Sequence, residues 1–182
     1  MGSGRGPHQW VMKTHTHTQS STLRSRLWAS NGAGFSSSED GWTTPLRAFE
    51  KLDREFGFEL DAAASDQNAL CRDYYTVDDD SLGQDWGDSR VFLNPPYDRT
   101  MGKWLKKAHD ASRAGATVVC LIPARTDTRW WHDYVMRACE VRLVRGRLKF
   151  GGASSSAPFP SAVVVFRPHG DAHGPVFSAV EL

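Results

Sequence analysis

The run Val91-Phe92-Leu93-Asn94-Pro95-Pro96-Tyr97 constrains this chain more than any other stretch. Three apolar residues read as a short buried strand, and two consecutive prolines end it at once. Proline cannot donate to a sheet ladder and pushes the residue before it out of the helical region. Asn94 to Tyr97 therefore leaves the strand as a stiff, extended turn. The Asn94 amide and the Tyr97 ring are held near the strand's C-terminal end, the edge at which open α/β sheets bind ligands.

A turn of this kind suits methyl transfer to a planar amino nitrogen. The lone pair of an aromatic or amide NH2 is delocalised, so the nitrogen is a weak nucleophile. Two acceptors that bind both N–H groups draw it towards tetrahedral geometry and localise the lone pair. The Asn94 side-chain oxygen and the Pro95 carbonyl are the candidate acceptors, and the Tyr97 ring offers a flat face for a base taken out of its stack. Acceptors aimed in advance need no reorganisation during the reaction. A plain strand-terminating turn is the structural alternative.

The chain has 182 residues, enough for one domain with a substantial core. Its net charge of +1 means that any nucleic-acid contact rests on a local basic patch and not on the overall field. Cys71, Cys120 and Cys139 are odd in number and lack CxxC spacing. That points to a reducing compartment and away from a disulfide framework or a zinc site. No apolar run is long enough to cross a membrane and no signal-peptide core opens the chain, so a cytoplasmic protein without membrane or metal partners is expected.

Residues 1–40 are rich in Gly, Ser, Thr, His and Arg and read as a mobile basic arm. His15-Thr16-His17 lacks a third metal ligand, and Gly32-Ala33-Gly34 lacks the strand that precedes a nucleotide loop. Arg5, Arg24 and Arg26 suit phosphates or a solvated tail equally. From Gly41 an ordered domain is expected. Thr44 suits an N-cap and Pro45 the first helical position, and Leu46, Phe49, Leu52 and Phe56 recur at helical spacing until Gly57. Free amides at that helix start can hold a carboxylate, and Trp42 can wall a pocket or simply pack.

Phe58 to Asp61 reads as a strand tipped by an acid, followed by Ala62-Ala63-Ala64-Ser65, small enough for close approach to a ligand. Asp61 there can accept from an ammonium or hydroxyl. Asp73 to Val77 is a second short strand. Asp78 at its end can bind ribose hydroxyls, and Asp85 can accept from an adenine amino group, or both belong to solvated turns. Residues 101–113 form an amphipathic helix, and Thr117 to Ile122 a buried parallel strand. Arg125 leaves that strand on the ligand side. Thr126 or Asp127 caps a helix with Trp130, Trp131, Tyr134 and Val135.

Val141 to Phe150 reads as extended, with Arg145, Arg147 and Lys149 on one face as candidate phosphate contacts or as a solvated edge. Gly151 to Pro158 is a loop, Ser161 to Phe166 the last strand, and residues 168–182 a loose tail. Strands alternating with helices predict a three-layer α/β domain with a mostly parallel sheet over residues 41–167.

In order, Trp42-Thr43-Thr44-Pro45, Phe58 to Ser65, Tyr75-Thr76, Val91 to Tyr97, Leu121 to Thr128 and Gly146 to Phe150 resemble the phage-type DNA N-6-adenine methyltransferases, the Dam-like proteins of phages and prophages. The resemblance spans about residues 41–167. It implies a Rossmann-like class I domain that uses S-adenosylmethionine and acts on N6 of an adenine flipped out of double-stranded DNA. Trp42, Thr44, Pro45, Asp61 and Ala62 would then contact the cofactor, as would Asp78 and Asp85. Asn94, Pro95, Pro96 and Tyr97 would hold the target base. Arg125, Arg145, Arg147, Lys149 and Phe150 would meet the DNA. The usual glycine-rich loop after the first strand is replaced by Ala62 to Ala64. Because an alkylated amine is acidic, no strong base is demanded, and His109 and His132 read as helix-surface residues. Cytosine N4, adenine in RNA or a glutamine amide remain alternative acceptors, and a catalytically inactive DNA-binding module is a further one.

Overall fold

The computed structural model describes residues 42–151, 155–168 and 174–182. The expected arm, with its histidine pair and glycine motif, lies outside the described residues. The first helix, α1 (Leu46–Phe56), follows Pro45, whose φ of −60° and ψ of 128° turn the chain into it. Ala48, Phe49, Leu52 and Phe56 form its buried stripe. Leu46, expected in that stripe, is 59% exposed at the first position of the helix, whereas Ala48 and Phe49 in the same turn are buried. Gly57 closes the helix at φ 62°, the left-handed region that glycine enters without strain, and its N–H donates to Asp53 O.

Seven strands among the described residues form one sheet: β1 (Leu60–Asp61), β2 (Asp73–Tyr74), β3 (Arg90–Leu93), β4 (Thr117–Pro123), β5 (Glu140–Val144), β6 (Ser161–Phe166) and β7 (Val176–Val180). Their spatial order is β2-β1-β3-β4-β6-β5-β7. Every strand but β6 runs in one direction. The expected mostly parallel α/β sheet is present. Alternate residues serve opposite faces. Val91, Leu93, Val118, Cys120 and Ile122 pack with Leu105, Ala108 and Ala111 of α2 (Met101–Ala114) and Trp131 of α3 (Arg129–Asp133). Phe92, Val119, Leu121, Val163 and Val165 pack instead with Phe49, Leu52 and Phe56 of α1. Helices thus cover both faces. Arg142 adds a tie between α1 and β5, placing its guanidinium 2.6 Å from both Glu55 and Glu140.

Several boundaries depart from expectation. The strand expected over Asp73 to Val77 is only Asp73–Tyr74, with a 3-10 turn from Val77. Pro45, expected as the first helical residue, is extended and precedes α1. The extended stretch expected to reach Phe150 ends as a strand at Val144, because Gly146 turns the chain at φ 80°. The helix expected to start at Thr126 or Asp127 starts after Thr128, whose N–H and hydroxyl both donate to Arg125 O and hold a turn first. It has only five residues. The expected loose tail carries β7, which pairs in parallel with β5. Val180 and Leu182 pack against the α1-side core, so Ser161 to Phe166 is not the last strand. Residues 176–179 are exposed on both faces, which removes the alternation by which a sequence announces a strand.

Phe92 is 1% exposed and meets Phe49 edge-on at 5.2 Å between ring centroids. Phe92→Ala is expected to cost about 3–5 kcal/mol of stability, read as a lower urea midpoint at unchanged slope.

Candidate active site

The parallel strands β1, β2, β3 and β4 end on one edge of the sheet, and β1 lies between β2 and β3. The chain goes one way from β1 to reach β2 and the other way to reach β3, a switch of the kind at whose strand tips open α/β sheets bind ligands. Asp61 pairs in register with Phe92, and the Ala62 N–H donates to Phe92 O at 3.0 Å. The tip of β1 therefore stands beside the turn that leaves β3.

Asn94 is held at this turn by its side-chain nitrogen, which donates to Trp42 O at 2.7 Å and Thr44 Oγ1 at 2.9 Å. A backbone carbonyl only accepts, so the nitrogen must be the end facing Trp42 and the amide orientation is fixed. The other end, Asn94 Oδ1, is buried and has no hydrogen-bond partner among the described residues. Buried amide oxygens are rarely left so, which makes this acceptor a candidate partner for a ligand's donor. Thr44, expected as a helix cap or a cofactor contact, spends its hydroxyl on Asn94 and does not cap α1. Pro95 is buried and Pro96 exposed.

Tyr97 is half-buried, and its hydroxyl donates to Leu121 O of β4 at 3.2 Å. Burial pushes the phenol far above its ordinary pKa, so this group carries no proton in or out near neutrality. Its ring lies nearly parallel to that of Trp42, at 6.4 Å between centroids and 20° between planes. Phe150 and Phe159 meet both rings edge-on. Phe150, expected to touch DNA, is 2% exposed and forms part of this cluster instead. The chain alternates sides after Gly146, leaving Arg147 and Lys149 exposed while Leu148 and Phe150 turn inwards.

Asp61 is the buried charge of the site, 3% exposed. Desolvation pushes its carboxyl up to about 6, against the pull of N–H groups from Leu70 at 3.2 Å and Ala63 at 3.4 Å. A carboxylate so placed gains from a cation set beside it. Asp78 and Asp85 are both exposed, and Asp85 accepts from the Gly87 N–H at 2.9 Å. Among the described residues, neither is hydrogen-bonded to the Asn94 corner. Arg125 is exposed just beyond β4, and Arg145 beyond β5 faces Glu181 at 3.4 Å.

Two members of this edge carried no usable signal in the sequence. Phe159 sits between two prolines in an expected loop, where an aromatic residue has no period to betray it. Ser161 opens β6 opposite Pro123, and its hydroxyl is buried without a partner among the described residues. A cavity of about 100 Å³ lies at the opposite end of the sheet, where His109, Arg113, Arg137, Cys139 and Arg167 surround Phe166. It is remote from Asn94. His109, expected on the helix surface, packs edge-on against Phe166 there with 17% of its side chain exposed.

The chain is 34% identical to the DNA N-6-adenine-methyltransferase of Escherichia phage T1 over 111 residues, which cover 60% of the chain but only 46% of that protein. It is 27% identical to the DNA N-6-adenine-methyltransferase of Haemophilus phage HP1 over 140 residues, covering 72% of the chain and 81% of that protein. The family model described as DNA N-6-adenine-methyltransferase (Dam) matches residues 33–180, and the chain belongs to that family.

Proposed function

We propose that this chain transfers a methyl group from S-adenosylmethionine to N6 of adenine in DNA, on a Rossmann-like class I methyltransferase fold. The observation that carries the reading is the orphaned, buried Oδ1 of Asn94, whose direction is fixed by Trp42 and Thr44. An exocyclic NH2 has the donor that this oxygen lacks. Pairing with it, and with the Pro95 carbonyl, draws the nitrogen's lone pair out of conjugation. Tyr97, pinned by its hydroxyl to Leu121, supports a base flipped from double-stranded DNA by its ring face. An alkylated amine loses its proton readily, so no side-chain base is required.

The residues present fit the cofactor. S-adenosylmethionine, when bound, supplies a methyl group on a positively charged sulfonium. The buried Asp61 carboxylate is suited to its ammonium group, and Ala62, with Ala63 and Ala64, keeps the strand tip narrow enough for close approach. Trp42 and Pro45, just before α1, would contact the cofactor's methionine end. Asp78 would bind ribose hydroxyls and Asp85 the adenine amino group of the cofactor. Arg125, Arg145, Arg147 and Lys149 would meet phosphates. Both named relatives come from phages, and a phage or prophage enzyme working in the bacterial cytoplasm completes the reading. No helix among the described residues is long and apolar enough to cross a membrane.

The test is incubation of the full chain with labelled S-adenosylmethionine and unmodified DNA, followed by digestion to nucleosides. N6-methyladenine is the expected product. N4-methylcytosine, or no label in DNA, contradicts the reading.

Asn94→Ala is expected to lower turnover by at least ~100-fold, the scale for removing one aimed polar group, while calorimetry still detects cofactor binding. Near-normal turnover would remove Asn94 from the reaction. Thr44→Val frees one side of the Asn94 amide and is expected to reduce turnover roughly tenfold, with cofactor affinity unchanged.

Asp61 gives a pH dependence with a definite sign. Its folded pKa of about 6 lies above the ordinary 3.8, so the folded chain binds this proton more tightly than the unfolded chain does. Its contribution to stability is therefore greatest below pH ~4 and is lost as pH rises to ~6, on the order of 3 kcal/mol in all. Cofactor binding, which needs the carboxylate, strengthens across the same window. Asp61→Asn is expected to flatten the stability change and weaken cofactor binding by about tenfold or more, read by melting and calorimetry at several pH values.

A further inference from the structure

β7 is the last strand of the sheet on its side, and none of the described strands pairs with its outer edge. The Val176 N–H donates to Cys139 O at 2.9 Å, and Val180 O accepts from the Arg145 N–H at 2.8 Å. In a parallel ladder both backbone groups of a residue address the same neighbour. Val176, Ser178 and Val180 are thus spoken for by β5, while the N–H and C=O of Phe177 and Ala179 point away from the sheet. Folded proteins commonly blunt such an edge with charge, proline or a bulge. Val176 to Val180 has none of these, and leaves Val176 65% and Phe177 51% exposed beside Leu143 at 43%.

We propose that this edge pairs, antiparallel, with the same edge of a second copy of the chain, about a two-fold axis through Ser178. In that register Phe177 stands opposite the other copy's Ala179 on both sides of the axis. Each such pair exchanges two N–H···O=C bonds, so every outward group of Phe177 and Ala179 is used. Ser178 meets its own copy at the non-hydrogen-bonded position, where side chains come closest. Other registers serve less well. A shift one way sets Ala179 opposite Pro175, which has no N–H to give the Ala179 carbonyl, and a shift the other way sets the Glu181 charge opposite Phe177.

Charge and packing agree with self-pairing. The strand carries no charge, and Glu181 falls opposite Pro175 with its carboxylate 3.4 Å from its own Arg145, so like charges do not meet. Phe177 and Ala179 share a face with Leu143, since Ala179 is paired with it in register. A large ring thus lies against a small side chain twice, with exposed leucine alongside. The contact is smaller than the ~800 Å² per partner of a standard stable interface, so the dimer is reversible. Antiparallel pairing also turns the two Asn94 edges in opposite directions, so each copy works on its own stretch of DNA.

Sedimentation of the full chain from micromolar to near-millimolar concentration is expected to show a monomer passing into a dimer. Ala179→Pro deletes an outward N–H that β5 does not use. It is expected to stay monomeric with an unchanged circular dichroism spectrum and unchanged activity per chain. Ser178→Cys is expected to form a disulfide-linked dimer on mild oxidation, and Phe177→Cys, whose sulfur would face the other copy's Ala179, is not. The crosslink decides the matter even where the proline variant folds poorly. A wild-type chain that stays monomeric, a dimer that survives in a folded Ala179→Pro, or equal crosslinking of the two cysteine variants overturns the proposal. The first of these would leave the edge to another segment, such as residues 1–41.

Discussion

The Asn94 side-chain nitrogen is committed to Trp42 O and Thr44 Oγ1, and the character of the whole edge follows from that commitment. An unrestrained asparagine could present either end of its amide to a ligand. Here the two acceptors come from the segment that leads into α1, so the packing of α1 against Phe92 sets the direction of an oxygen at the end of the same strand. Backbone rigidity supplies the rest. Pro95 and Pro96 restrict the turn, and the Tyr97 hydroxyl pins its far end to β4. The cost of leaving Oδ1 buried without a partner, about 1–3 kcal/mol for a polar group of this kind, is offset by the core beneath it.

The second constraint is the placement of Asp61 at the tip of β1, one strand away from this corner. Its carboxyl is buried because β1 lies between β2 and β3, and it is raised in pKa because only two long N–H contacts compensate for lost water. An acceptor for an amine and a destabilised carboxylate thus stand at neighbouring strand tips on one edge of the sheet. Each is unfavourable in isolation, and each becomes favourable when a ligand of complementary charge or hydrogen bonding arrives. An orphaned acceptor and a destabilised carboxylate on one edge of a well-packed sheet are what a binding site leaves behind.

How much of this the sequence discloses depends on the residue. The Val91 to Leu93 strand, the proline corner, the Gly57 stop and the strand tipped by Asp61 are legible because each has a local physical cause: no N–H, a left-handed φ, a run of apolar side chains. Thr44 is misread because its position suits an N-cap equally well, and only the fold brings Asn94 to it from fifty residues away. Phe150 is misread for a related reason, since a period of two along the strand says that it faces away from Arg147 but not what it faces. β7 is missed because exposure on both faces leaves no alternation. The topology of the sheet, with β6 inserted antiparallel between β4 and β5, has no signature in any one segment.

The most direct measurement of the central claim is a structure of the chain bound to DNA and to an unreactive analogue of the methyl donor. A flipped adenine is expected, its exocyclic nitrogen within hydrogen-bond distance of Asn94 Oδ1 and the Asn94 nitrogen still on Trp42 O. An Asn94 oxygen that remains unpaired while the base sits elsewhere, or an amide turned the other way, would contradict it.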